Sequence, residues 1–145
     1  MKKTLWLIII GIMIAGCADD IIVKPASELR GAYEGDYIRV KSVSSGASTK
    51  TQNIEWTFTD QKFFCEVTDT SDVWLCDFSG NYELANKLIL SDTVVAAQTC
   101  DRSDIPVGSF QLIRKSNPSG PDSLIIEQYD EDSDVKKVIR IVKTG

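Results

Sequence analysis

Hydrophobic and polar positions along most of this chain alternate with the period of a strand. β-Branched and aromatic residues recur in short blocks separated by turn-forming clusters. No window of a dozen residues keeps a helical period. The pattern predicts strands over Tyr33–Val43, Asn53–Thr59, Lys62–Thr68, Val73–Leu84, Lys87–Gln98, Val107–Lys115, Ser123–Tyr129 and Val135–Lys143. Asp60-Gln61, Ala85-Asn86, the run Asn117-Pro118-Ser119-Gly120-Pro121 and the acidic tip Asp130–Asp134 read as turns. Gly80 is expected to mark a bulge, and so is the neighbourhood of Tyr37. There the apolar parity passes from Tyr33 and Tyr37 to Ile38 and Val40. Eight sequential strands with mostly short connections predict an all-β, up-and-down antiparallel barrel, whose closure removes exposed edges. Apolar groups on both faces of Leu124-Ile125-Ile126 and Val138-Ile139 leave a flattened β-sandwich as the alternative.

The first residues follow another pattern. Lys2 and Lys3 precede an apolar run from Leu5 to Ile14 that is too short to span a bilayer, which takes about 20 residues. It reads as a secretory signal. Its end, Ile14-Ala15-Gly16-Cys17, resembles the bacterial lipobox. The resemblance implies cleavage before Cys17 and lipidation of its thiol and freed amine, a palmitate-type anchor. The organisation expected is a lipoprotein signal peptide over 1–16, a lipidated N-terminus and tether over 17–30, and the barrel over 31–145. Each buried CH₂ of an acyl chain contributes about 0.8 kcal/mol, so several chains make the attachment effectively permanent. Ala18 follows the cysteine where aspartate is associated with inner-membrane retention, which favours the outer membrane. Asp19 and Asp20 resemble a surface-export signal and equally suit a solvated tether, so the leaflet stays open.

The barrel segment carries a second resemblance. Leu29-Arg30-Gly31-Ala32-Tyr33 is similar to the Gly-x-aromatic entry of lipocalin-like and calycin-like barrels, with tyrosine where tryptophan is usual. Ser79-Gly80-Asn81-Tyr82-Glu83-Leu84 with Asn86–Leu90 resembles the central hairpin of small bacterial lipocalin-like lipoproteins. Ile105–Phe110 and Ser123–Ile126 fit the same pattern. The resemblance implies a shape and an envelope location, and no particular chemistry.

Composition narrows function mainly by exclusion. The 145 residues carry a net charge of −5, which becomes −7 without Lys2 and Lys3, so nucleic acid is not an expected partner. With no histidine, Ser-His-Asp and Cys-His catalysis are excluded. The Asp130, Asp132, Asp134 alternation fails as a calcium loop, because Val135 and Ile141 stand where glycine and glutamate are needed. Carboxylates are many, but no two are singled out as a catalytic pair. No catalytic residue, metal site or cofactor is expected, and the chain is read as a non-enzyme.

With Cys17 lipidated, three cysteines remain in a compartment where disulfides persist. Closing the third and fourth strands tightly around Asp69–Asp72 pairs Cys65 with Cys76, Val67 with Trp74 and Phe63 with Phe78, all on one face. That register favours a structural Cys65–Cys76 bridge, with a bridge to Cys100 as the alternative. Trp56, Phe58, Trp74, Phe78 and Tyr82 fall mainly at inward parity. They either fill the core or line an apolar pocket at one barrel mouth. Two functions follow: a lipid-anchored envelope protein binding a small apolar ligand or lipid, or an envelope protein-interaction module such as a hydrolase inhibitor or accessory subunit. A cavity reaching Trp74 favours the first, and a packed interior with projecting loops the second.

Overall fold

The computed structural model describes residues 29–69, 71–96 and 99–145. The expected signal peptide, Cys17 and most of the expected tether lie outside the described residues. The fold is a closed antiparallel barrel in which every strand pairs with its neighbours in sequence, and β8 returns to β1. Its strands are β1 (Gly31–Val43), β2 (Gly46–Phe58), β3 (Lys62–Val67), β4 (Phe78–Leu84), β5 (Leu88–Val95), β6 (Gly108–Lys115), β7 (Ser123–Asp130) and β8 (Val135–Lys143). This is the up-and-down barrel the sequence pattern predicts; the flattened sandwich is not formed.

Connections alternate between the two ends. At the lower end lie the entry at Leu29-Arg30, the turns 59–61, 85–87 and 116–122, and the C-terminus. At the upper end lie a tight β1–β2 turn at 44–45, the long segments 68–77 and 96–107, and the acidic tip 131–134. A short 3-10 turn, Arg102–Asp104, interrupts the second long segment, and Asp101 caps it by accepting from Ser103 N at 2.9 Å. The expected turn at Asn117 forms, with Gly120 N donating to Asn117 O at 3.2 Å.

The core is the inward face of all eight strands. Tyr33, Tyr37, Ile54, Trp56, Phe58, Phe63, Phe78, Leu90, Phe110, Ile126 and Ile139 are among its buried members. Leu29 closes the lower end and Leu75 and Ile105 close the upper one, all three buried. An eight-stranded barrel is just wide enough for side chains to fill it.

Several expectations are corrected. β2 starts at Gly46 rather than Asn53, because the small polar run 46–52 pairs with the distal half of β1. β4 starts at Phe78 rather than Val73, and β5 ends at Val95. Cys65 stands opposite Phe78, and Phe63 opposite Gly80, a register two residues from the expected one. A slip of two keeps every side chain on its face, so the apolar pattern does not distinguish the two registers.

No bulge lies near Tyr37, since β1 pairs with β2 and with β8 without a break. Inward parity simply continues to Arg39, which finds a counter-charge inside. The register does shift at Gly80, where β4 passes from Ser79↔Val94 to Asn81↔Ser91. The extra residue belongs to β5, so Gly80 faces two residues there. Asp92 takes φ 50°, and inward parity on β5 passes from Leu88 and Leu90 to Thr93 and Val95. A Cβ at Gly80 would lie 2.6 Å from Ser91 O and 3.0 Å from the Phe63 ring, so only glycine fits between them.

Candidate functional site

Four of the five aromatics proposed for a pocket are packing. Trp56 stacks on Phe58 at 5.2 Å between ring centroids and meets Phe63 and Phe78 edge-on at 5.5 and 5.8 Å. Phe58 in turn meets Tyr82 at 5.1 Å and Tyr33 at 5.7 Å. Trp56, Phe58, Phe78 and Tyr82 are each at most 3% exposed. Their rings occupy the space that a ligand would need. Tyr82 also donates its hydroxyl to Thr59 O at 2.6 Å, at the lower end.

Trp74 stands apart. It sits on the 68–77 segment, half-buried, and lies against Tyr37 at 5.5 Å with the Lys50 amine 5.7 Å over its ring. Its backbone N donates to Gln52 Oε1 at 3.2 Å. The segment is held by a clasp at Asp69. That carboxylate accepts from Asn53 N and Nδ2, both at 2.8 Å, and from Gln52 Nε2 at 2.9 Å. The Asn53 backbone donation, more than any other influence, holds the Asp69 pKa below its ordinary value of 3.8. A carboxylate with a lowered folded-state pKa stabilises the fold above its unfolded value and loses that contribution as pH falls through the lowered one. Acid titration followed by Trp74 fluorescence should therefore show the segment loosening below pH 3.8. In Asp69→Asn that acid step should be absent.

The second upper segment, 96–107, is held from inside the barrel. Tyr37 Oη donates to Asp104 O at 2.6 Å, and Lys137 Nζ donates to Ile105 O at 3.1 Å. Arg39 Nε lies 2.9 Å from Asp104 Oδ1, an ion pair whose angle does not make a hydrogen bond. Burial raises the Asp104 pKa, while Arg39 pulls it down. Burial lowers Lys137 and raises the Tyr37 phenol. Arg39 pairs across the ladder with Lys50 on β2 and with Lys137 on β8, so three cations in register surround one buried carboxylate. Like charges side by side in a sheet repel, and Asp104 supplies the compensation.

Cys76 and Cys100 form the disulfide, with Cα atoms 5.9 Å apart, and Cys65 is a buried free thiol. The expected Cys65–Cys76 bridge is thereby corrected. The segment 68–77 is too long for the tight hairpin that register assumed, which moves Cys76 beyond the ladder and toward the other upper segment. Burial pushes the Cys65 thiol pKa up, which keeps it protonated and unreactive. The bridge therefore ties the two long segments of the upper end to each other.

The upper end also carries exposed apolar groups that sequence parity did not single out. Val73 is 50% exposed, Val94 67%, Val107 50% and Tyr129 57%. Two depressions of about 390 Å³ each flank Val107. Thr93, Val94 and Val95 line one, Gln128, Tyr129, Asp130 and Lys137 the other, and Arg102 and Ile105 border both. The signal for this site was the length and polarity of 96–107. No family model, curated protein or solved structure matches the chain.

Proposed function

We propose that this chain is a lipid-anchored module of the bacterial envelope that works by binding another protein through its upper end. The observation that carries this reading is the division of the barrel: a middle filled by its own aromatic rings, and one end built of two long segments joined by a disulfide. Carriage of a small apolar ligand needs interior space, which Trp56, Phe58, Phe78 and Tyr82 occupy. Loops positioned by a rigid scaffold are the usual place for recognition. The lipobox at Cys17 supports the anchor, and Leu29-Arg30 enters β1 at the lower end, opposite the two long segments. Ala18 after the cysteine favours outer-membrane residence, with the leaflet open.

The test is in two parts. Cys17→Ala should abolish palmitate labelling and release the chain from the membrane fraction; retained label overturns the anchor. Native mass spectrometry of the chain purified from its own host should then show a polypeptide partner that cross-links to the 68–77 or 96–107 segments. A lipid-sized adduct in its place overturns the interaction reading in favour of carriage.

A further inference from the structure

The upper wall of the barrel is notched. β5 pairs with β6 only from Leu88↔Phe110 to Leu90↔Gly108, and β6 pairs with β7 only from Gln111↔Glu127 onward. Above Leu90, β5 therefore keeps β4 as its neighbour and has no strand on its other side, while β7 above Glu127 has only β8. The segment 105–107 crosses this notch without joining either ladder, tied to β7 by the Gln128 side chain, whose Nε2 donates to Val107 O at 3.0 Å.

The direction of the unused backbone groups follows from the ladder. Ala96 N donates to Asp77 O at 3.0 Å, and Val94 stands opposite Ser79. Backbone groups alternate sides along a strand, so Val94 turns its N–H and C=O toward β4. Thr93 and Val95 then turn theirs into the notch, and both line the depression there. Thr93 Oγ1 is buried with no hydrogen-bond partner. The groove is otherwise apolar, from Val94, Val95, Ile105 and Val107, with one cation, Arg102. Arg102 is exposed and makes no ion pair among the described residues.

Resting on the interaction reading above, we propose that the upper edge of β5 receives an extended apolar segment of a partner protein as an added strand. Thr93 and Val95 supply the backbone hydrogen bonds, the valines take alternate side chains, and Arg102 takes a carboxylate of the incoming segment. Adding a strand to a free edge gives affinity through the main chain and selectivity through alternate pockets. The charge selects the occupant. Two copies of this chain would each bring a net charge of −5 to the contact, a repulsion that a short apolar segment of another protein does not meet.

The probe is a displayed library of random heptapeptides, panned on the mature full chain in detergent. Selected peptides should alternate β-branched or aromatic residues and carry Asp or Glu at a fixed offset. The best of them should bind at least tenfold more weakly to Arg102→Glu, with Arg102→Lys partly restoring it. The Thr93 and Val95 amides should become protected from hydrogen exchange in its presence. Selection of no consensus, an affinity indifferent to Arg102→Glu, or protection elsewhere overturns the groove. Protection mapped to 44–45 or 131–134 does so while leaving the interaction reading intact. Concentration-dependent self-association that the peptide abolishes overturns the choice of occupant.

Discussion

Trp56→Ala is expected to cost about 3–5 kcal/mol of folding stability, the range for removing a large aromatic from a core that cannot collapse around the loss. Trp56 is fully buried, and its ring is shared by Phe58, Phe63 and Phe78, so truncation removes one partner from each of three ring pairs. Such pairs contribute about 0.5–1.5 kcal/mol beyond burial. Urea denaturation of the two proteins measures the difference directly. Trp56→Phe separates packing from polarity. The indole Nε1 is buried without a hydrogen-bond partner, so phenylalanine discards an unsatisfied donor along with some volume. Its cost should be well below that of Trp56→Ala, because a phenyl ring refills most of the space and leaves only a small cavity. An equal loss in both variants would show that ring stacking is not what holds the middle of the barrel.

Breaking the disulfide is the other large change. Cys76 and Cys100 are 24 residues apart, and closing a loop of that size contributes about 3–4 kcal/mol on the chain-entropy model. Cys100→Ser should lower the thermal midpoint by roughly 10 °C. The pairing has its own readout in thiol counts on a chain carrying Cys17→Ala, which leaves Cys65, Cys76 and Cys100. The native protein should resist labelling because Cys65 is buried. Unfolding without reductant should expose one thiol, and unfolding with reductant three. Peptide mapping that joined Cys65 to Cys76 would contradict the structure. Cys65→Ser should leave the bridge in place, since Cys65 takes no part in it.

Much of the barrel is legible in the sequence because alternation is a local signal. Tyr33, Trp56, Phe58, Phe63 and Phe78 all point inward, where parity sends them, whereas β7 and β8, apolar on both faces, left the inward direction of Ile126 and Ile139 to the closure of the barrel. What escaped is what depends on distant residues. The 46–52 run is too polar to resemble a strand, and forms one because β1 continues alongside it. The register of β3 against β4 lies two residues from the one that parity favours because the 68–77 segment folds inward. Leu75 is buried there, and Asp69 is held by Asn53 and Gln52. That displacement carried Cys76 to Cys100 instead of Cys65. Arg39 was legible only as a charge on a strand. Its inward direction makes sense once Asp104, distant in sequence, is seen to descend into the barrel mouth beside it. The upper site escaped for the same reason, since the notch arises where β6 leaves β5 for β7.

The pairing of β1 with β8 joins the first strand of the barrel to the last, in unbroken register from Tyr33↔Lys143 to Lys41↔Val135. Threaded through a pore amino end first, the molecule must hold one flank of its opening strand bare until the closing nine residues have emerged. Cyclisation then comes late and over the greatest possible chain distance, which makes it slow. A product stopped after Asp130 would keep that flank open for good and be a natural client for holding chaperones.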